Sequence, residues 1–261
     1  MAEDSGVWLH AVTRGVDPRR LAGRTGVGGG PTRTVEGGGL VAVVSSVDLD
    51  TFGEEALRRN LEDLAWLEAV ARAHHDVVDA VGRMGAVVPA RLATVYRDDA
   101  RVAEMLGQRR ADFTAVLDRI AGRTEWGVKM YAVPGAEPVA TSAPAPDTTG
   151  PGAAYLRRRR EQLSATERTQ QAAVRSAEEV HAALGDSAEA ARRHPPQDRR
   201  LTGQSAPMVL NGAYLVDSRR AREFGQAVAA QADRHPALRL ELTGPWPPYS
   251  FATLEDAETP R

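Results

Sequence analysis

The chain has 261 residues, a formal net charge of -2 and 42% hydrophobic residues, which allows one large domain or two of ordinary size with a real core. The near-neutral charge argues against a nucleic-acid or membrane surface, and the absence of cysteine excludes disulfides and thiolate chemistry. The N-terminus lacks the features of a secretory signal, and no apolar run approaches the roughly 20 residues of a membrane helix. We therefore expect a cytoplasmic protein that binds neither nucleic acid nor a membrane.

The first half alternates predicted strands and helices. Apolar runs predict strands at 7–12, 40–47, 86–96 and 124–133. Stripes at spacings of three and four predict helices from 57 to 84 and from Asp98 or Asp99 to Gly122. We predict an α+β domain of ferredoxin-like topology, a small antiparallel sheet with both helices on one face.

The glycine-rich stretch "GVGGGP" at 26–31 is predicted to be a mobile connection between the first two strands. A phosphate-binding loop would need a lysine and a Ser or Thr, with a strand before it and a helix after it. The stretch lacks the lysine and the Ser or Thr, and it has no predicted strand directly before it and no predicted helix directly after it.

The second half begins after a stretch rich in Pro, Ala, Ser, Thr and Gly, which predicts a linker. A long helix is predicted at 153–184 with a thin heptad-like seam, followed by a strand at 206–216, a helix after Asp217 and a strand at 237–242. We therefore predict three parts: an N-terminal domain at 1–133, a linker at 134–152, and a C-terminal domain at 153–261 built from the long helix and a small β-α-β sheet element.

The residues that carry chemistry form no recognisable catalytic arrangement, so we expect no enzyme, cofactor or metal. The only histidine pair is His74-His75, and His74 falls on the apolar stripe of its helix. We predict a partly buried His74 and a surface pair between His75 and Asp79. Arg157–Arg160 open a helix that also carries glutamates, and a solvated helix face is the simplest interpretation.

Several stretches together resemble the gas vesicle protein GvpF/GvpL family. They are "FGEEALRRNLEDLAWLEAVARAHHDVV", "VVPARLATVY", "EWGVKMY", "LNGAYLVD" and "LTGPWPPYSF", in matching order and spacing. The resemblance covers most of both halves and is weak in the glycine-rich loop, the linker and the long helix. It implies a two-domain α+β protein that acts as an accessory or minor structural protein in gas vesicle assembly. In the first strand, Trp8 and His10 stand where relatives often carry tyrosine.

From this resemblance we expect binding to the hydrophobic shell protein, limiting its aggregation during nucleation, and to other gas vesicle accessory proteins. The expected binding residues are Trp246, Tyr249, Phe251 and Trp126. The segment "LTGPWPPYSF" is also predicted to turn off the sheet at Thr243-Gly244 and pack back on the protein. Two alternatives remain open: an adaptor that binds assembly factors or nucleic acid through the basic long helix, and a metal-dependent enzyme using His74 or His75.

Overall fold

The computed structural model describes residues 5–133, 151–197 and 206–252. The chain forms two compact units. The first unit comprises Met1–Glu125 with Pro245–Arg261, and the second comprises Trp126–Gly244. These ranges differ from the predicted domain boundaries at residues 133 and 153. The predicted division into independently folding domains stays a prediction. Most of the predicted linker, 134–150, lies outside the described residues.

The first unit contains a five-stranded antiparallel sheet. Its strand order is β2-β3-β1-β4, with β5 also paired to β1, and this is the order expected of a ferredoxin-like topology. The strands are β1 (Ser5–Thr13), β2 (Thr32–Gly37), β3 (Leu40–Asp48), β4 (Val88–Pro89) and β5 (Val95–Tyr96). The long strand predicted at 86–96 is thus reduced to two short pairings with β1, consistent with the missing N–H of Pro89.

The helices of the first unit are interrupted where the sequence predicts continuous ones. They are α1 (Pro18–Leu21), α2 (Leu49–Phe52), α3 (Glu54–Asn60), α4 (Leu64–Gly82), α5 (Asp99–Gln108) and α6 (Arg110–Ile120). The predicted helix 57–84 is split because the Asp63 side chain accepts hydrogen bonds from the N–H groups of Ala65 and Trp66 and so begins α4. The second predicted helix is split at Arg109.

Both faces of the first sheet are covered, so the prediction of helices on one face only is wrong. A bulge between Leu9 and Ala11 shifts the register of β1 against β3. Ala11 packs with Val77 and Val81 of α4 on one face. On the other face, Leu9 and Val12 line a cleft together with Met105 of α5 and Phe113 of α6.

The glycine-rich stretch contains a short turn of regular structure and is followed by a strand, where the sequence predicted only a connection between two strands. Val27–Gly29 form a short 3-10 turn, and the missed strand β2 follows and pairs with β3. A Cβ on Gly26 would lie only 2.5 Å from Ser45 Cβ and 2.7 Å from His10 Nε2. The glycine is therefore required by the close approach of this turn to the core, which composition alone does not reveal.

The second unit is built around a four-stranded sheet of order β7-β8-β6-β9. Its elements are β6 (Arg123–Ala132), α7 (Pro151–Gly185), β7 (Ala190–Arg193), β8 (Met208–Asp217), α8 (Ala221–Arg234) and β9 (Leu238–Trp246). Its core joins Val128 and Met130 of β6, Leu210 and Tyr214 of β8, and Phe224 of α8. The strand predicted at 124–133 therefore exists, but it belongs to this sheet and not to the N-terminal one.

Two predictions for the second half need correction. Among the seam residues of α7 whose side chains the structure describes, Ala173, Ala177, Val180 and Leu184 near the C-terminal end are buried, whereas Leu163 is half exposed and Gln170 is exposed. The chain also does not leave the sheet at Thr243-Gly244, because β9 continues to Trp246. Pro245 is tolerated there since β9 is the edge strand of the sheet.

Candidate functional site

The segment 245–252 is anchored to the first unit by buried residues and specific hydrogen bonds. Pro247, Pro248 and Phe251 are buried. Arg119 Nη2 donates a hydrogen bond to the carbonyl oxygen of Phe251 at 2.6 Å. The carboxylate of the buried Glu125 accepts hydrogen bonds from Ser250 N at 2.7 Å and Ser250 Oγ at 2.6 Å. A charged acceptor makes both bonds strong, so the segment is held in one conformation.

Two aromatic side chains of this anchored segment remain at the surface, and we call Trp246 and Tyr249 the aromatic pair. Trp246 is 43% exposed and Tyr249 is 37% exposed. The ring centroid of His75 on α4 lies 5.6 Å from that of Trp246 and 6.1 Å from that of Tyr249. Partial burial, with Asp79 and Glu125 nearby, raises the pKa of Tyr249, so its phenol stays neutral at neutral pH.

His74, which precedes His75 in α4, belongs to a buried polar cluster. We call this cluster the histidine core, and it consists of Trp8, His10, Ser45 and His74. Trp8 Nε1 donates to His74 Nδ1 at 3.0 Å, which leaves the proton of the neutral imidazole on Nε2, 3.2 Å from the carbonyl oxygen of Ala90. The rings of His10 and His74 are stacked with centroids 5.3 Å apart.

The hydrogen bonds of the histidine core also fix the protonation of His10. Ser45 Oγ donates to the carbonyl oxygen of Val27, so it accepts from His10 Nε2 at 3.0 Å. Burial lowers the pKa of His10 to about 3, with His74 contributing, and burial lowers the pKa of His74 to about 4. Both histidines are therefore neutral at physiological pH.

This geometry counts against the alternative of a metal site at His74. A ligating imidazole needs a free nitrogen lone pair, and the single acceptor nitrogen of His74 is taken by Trp8. Within the described ranges, no group of three His, Asp or Glu side chains is placed to hold a metal ion. The predicted surface pair of His75 with Asp79 is not formed; Asp79 instead pairs with Arg83 at 2.7 Å.

A cleft of about 550 Å³ lies on the other side of β1 in the first unit. Its floor is apolar and comes from Leu9, Val12, Val88, Met105 and Phe113. Its polar lining comes from Arg91, Thr94, Tyr96 and Arg109, and Tyr249 and Ala252 of the C-terminal segment also line it. Its volume is in the range typical of ligand sites.

The structure brings together two of the four residues predicted to bind a partner. Trp246 and Tyr249 lie on the same short segment beside His75. Phe251 is only 3% exposed and acts as an anchor. Trp126 lies in the second unit, partly buried, with its ring centroid 6.4 Å from that of Phe224. Their roles in binding remain predictions.

Neither the histidine core nor the cleft is predicted by the sequence. The only local signal for the histidine core was the position of His74 on an apolar stripe, because Trp8 and Ser45 come from distant strands. The side chains of Arg159 and Arg160 on α7 are exposed, as expected of a solvated helix face. In the part of the chain that the structure describes, no helix is both long and apolar enough to cross a membrane.

Two antiparallel sheets, with a ferredoxin-like strand order in the first, define an α+β protein of two compact units. The model of the family described as gas vesicle synthesis protein GvpL/GvpF matches residues 6–253. The chain belongs to this family and takes part in gas vesicle formation.

Both named branches of the family are among its relatives. The chain is 41% identical to gas vesicle protein L of Streptomyces sp. (strain CB03234), covering 99% of this chain and 97% of the relative. It is 28% identical to gas vesicle protein F of the same organism, covering 94% and 98%. Of these two relatives, the L protein is therefore the more similar in sequence.

Solved structures agree with the fold. The crystal structure of the gas vesicle protein GvpF from Anabaena sp. PCC7120 is similar with a TM-score of 0.68 at 19% identity, covering 98% of this chain and 100% of that one. The crystal structure of GvpF from Microcystis aeruginosa gives a TM-score of 0.64 at 18% identity, covering 95% and 99%.

Proposed function

We propose that this protein binds the hydrophobic gas vesicle shell protein during assembly and limits its aggregation, and that the aromatic pair is the contact surface. The observation that carries the proposal is that Trp246 and Tyr249 are exposed on a segment whose neighbouring residues are buried and hydrogen-bonded. We also propose that it acts in the cytoplasm and at the gas vesicle.

Exposed Trp and Tyr side chains supply large apolar area and a polar tip, and they dominate the energetics of many protein interfaces. The backbone of 245–252 is already fixed by Glu125, Arg119 and three prolines, so little conformational entropy is lost on binding. A small, preorganised apolar contact of two aromatic side chains favours reversible holding, because permanent complexes bury much larger surfaces.

The test is binding of the purified protein to freshly refolded shell protein, measured together with the light scattering of the shell protein as it aggregates. The double variant Trp246→Ala/Tyr249→Ala should lose binding at least tenfold and no longer delay aggregation, which follows from about 1.4 kcal/mol or more of lost contact. The matched control is Leu64→Ala, which removes a 68% exposed apolar side chain elsewhere in the first unit.

Three results decide whether the aromatic pair binds the shell protein. The proposal holds if the double variant loses binding and Leu64→Ala retains it. It fails if the double variant binds normally with its fold intact by circular dichroism. It also fails if both variants lose binding equally, because the surface would then be apolar without being specific.

A second candidate is an adaptor role of α7 toward other assembly factors. The observation that favours it is the exposure of Leu163 and Val174 on this helix, together with the exposed Arg159 and Arg160. Replacing Arg157–Arg160 with glutamine should then abolish capture of a gas vesicle accessory protein, with a steep dependence on salt. Binding of the shell protein should be unaffected by this change.

A further inference from the structure

The middle of α7 is a helical stretch without tertiary packing. Between residues 159 and 172, every side chain that the structure describes is exposed, and the first described side chain of α7 that is buried is Ala173. A polar helix in solvent is usually supported by ion pairs between successive turns. None of the described arginine and glutamate side chains from 159 to 179 forms an ion pair with a described residue. Burial of one face of this stretch against a partner would therefore stabilise it.

One face of this stretch carries apolar side chains. Leu163 is 50% exposed and Val174 is 40% exposed, and neither belongs to the core of the second unit. They are eleven residues apart, or about three turns of an α-helix, so they lie on the same side. Glu167 and Gln170 lie between them on that side, at spacings of four, three and four along the chain. We call Leu163, Glu167, Gln170 and Val174 the α7 stripe.

Opposite charges flank the α7 stripe. Arg160 comes three residues before Leu163, Glu178 comes four residues after Val174, and both charged side chains are exposed. Arg160 and Glu178 are eighteen residues apart, or about five full turns, so they lie on the same edge of the stripe. Halfway between Leu163 and Val174 is position 168.5, and halfway between Arg160 and Glu178 is position 169. The apolar pair and the charged pair therefore share one centre.

We propose that α7 pairs in antiparallel orientation with α7 of a second copy of this chain, about a two-fold axis next to Thr169. The axis brings Leu163 of each copy level with Val174 of the other. It also brings Arg160 of each copy level with Glu178 of the other. This inference does not rest on the shell-protein proposal, since it concerns α7 and not the aromatic pair.

The pattern of α7 favours a second copy in this orientation over other occupants. Under a two-fold axis, residue i contacts residue j and residue j contacts residue i, so a self-complementary surface has a single centre. An unrelated partner imposes no such centre on its binding face. A parallel pair would bring Arg160 beside Arg160 and Glu178 beside Glu178, and these like charges repel. Near the axis, Glu167 comes level with Gln170 of the other copy, whose amide can donate to the carboxylate.

The test is sedimentation velocity of the full chain at low ionic strength, over a concentration series that reaches about 200 µM. High concentration is needed because a single helix pair is smaller than the roughly 1,200 Å² of a standard interface. Arg160→Glu and Glu178→Arg should each raise the dissociation constant of the dimer at least tenfold, because each change turns two attractive charge pairs into repulsive ones. The matched control is Arg168→Glu, which changes an exposed residue of the same helix outside the stripe and its flanks.

A mixture of the two charge variants tests the pairing between copies. Arg160→Glu leaves acidic side chains at both positions and Glu178→Arg leaves basic ones, so the two variants attract each other in an antiparallel pair. An equimolar mixture should therefore dimerise about as tightly as the wild type, although neither variant does so alone. The double variant Arg160→Glu/Glu178→Arg should also recover the dimer. Circular dichroism checks that every variant keeps its helix content.

Cross-linking reads the orientation directly, because the chain contains no cysteine. Leu163→Cys mixed with Val174→Cys should form a disulfide between the two variants on oxidation. Leu163→Cys alone should not, because its two cysteines would lie about 16 Å apart along the helix axis. Efficient cross-linking of Leu163→Cys to itself would show a parallel pair and overturn the inference.

Other outcomes also overturn the dimer of α7. They are a chain that stays monomeric throughout the series, equal effects of Arg168→Glu and Arg160→Glu, and a mixture that does not dimerise. Capture of an accessory protein on α7 of a chain that stays monomeric would assign the stripe to that partner instead. Trp246→Ala/Tyr249→Ala should dimerise as the wild type does, so failure of the shell-protein proposal is distinguishable from failure of this one.

Discussion

His74 and His75 are adjacent in α4, yet they belong to regions with opposite properties. His74 lies in the histidine core, where its hydrogen bonds go to Trp8 and Ala90 and solvent is excluded. His75 lies at the surface beside the aromatic pair. A helix turns about 100° per residue, so a change of one position moves the histidine side chain from the core to a partly exposed surface. The same residue type therefore serves stability in one region and a surface in the other.

The largest expected effect is a loss of folding stability at acidic pH, caused by the histidine core. Above pH 6.5 the two core histidines are neutral in both the folded and the unfolded chain. Below pH 6.5 the unfolded chain takes up protons, while the folded chain resists until pH about 4 for His74 and about 3 for His10. Stability should therefore fall by several kcal/mol as the pH drops from 6.5 toward 4.

Urea unfolding at pH 7.5, 5.5 and 4.5 measures this loss. The variant His10→Gln keeps an N–H for Ser45 Oγ and cannot be protonated, so its stability should depend less on pH than that of the wild type. If the wild type and His10→Gln lose equal amounts of stability as the pH falls, the histidine core is not the cause. The difference in role between His74 and His75 would then be smaller than proposed.

The next largest effect concerns the anchor of the aromatic pair. Phe251→Ala should destabilise the protein by about 3–5 kcal/mol, because it leaves a cavity where a fully buried ring was packed. The Trp246 side chain is already two-fifths exposed, so Trp246→Ala should lower the free energy of unfolding by less than about 1 kcal/mol. Equal melting temperatures for the two variants would show that the segment is not divided into an anchor and a surface.

A smaller effect is expected at the hydrogen bond that fixes the segment. Ser250→Ala removes the donor Oγ from the buried Glu125 carboxylate, and loss of a hydrogen bond to a charged group costs roughly 1.5–3 kcal/mol. Hydrogen exchange of the amides at 249–252 should accelerate in this variant. Unchanged exchange would mean that the backbone bond from Ser250 N is sufficient by itself.

The smallest effect on stability is expected at His75. Its contact with Tyr249 Oη is 3.4 Å long and exposed, so His75→Ala should change the free energy of unfolding by about 0.5 kcal/mol or less. Binding of the shell protein should weaken measurably, because the histidine ring supports both aromatic side chains. A large loss of stability would place His75 with the core and remove the contrast with His74.

Much of the fold follows from the pattern of the chain. The β-branched run at 40–47 and the alternation at 124–133 correctly predicted β3 and β6, since side chains of a strand alternate between faces. The spacing of three and four correctly predicted α4, and the same rule placed α7 within a few residues. The strand β2 was missed because its residues "TRTVEG" are mostly polar and follow the glycine-rich stretch at 26–31.

The candidate site was predicted only in part. An aromatic- and proline-rich segment in a chain with 5% aromatics indicated a special role for Trp246 and Tyr249. The local sequence did not distinguish Trp246 and Tyr249 from Phe251. The burial of Phe251 depends on where Arg119 and Glu125, which are distant in the chain, lie in space. The cleft was not predictable either, since its lining comes from β1, the loop between β4 and β5, two helices and the C-terminal segment.

The sequence by itself determined the type of the strongly periodic elements, the family and the absence of thiol chemistry, because periodicity, motif order and composition are properties of the chain alone. The tertiary structure decided which sheet β6 joins, which unit the segment 245–252 anchors to, and which of two adjacent histidines is buried. Each of these depends on contacts between residues far apart in the chain. Long-range packing sets burial and charge state, and no local pattern encodes it.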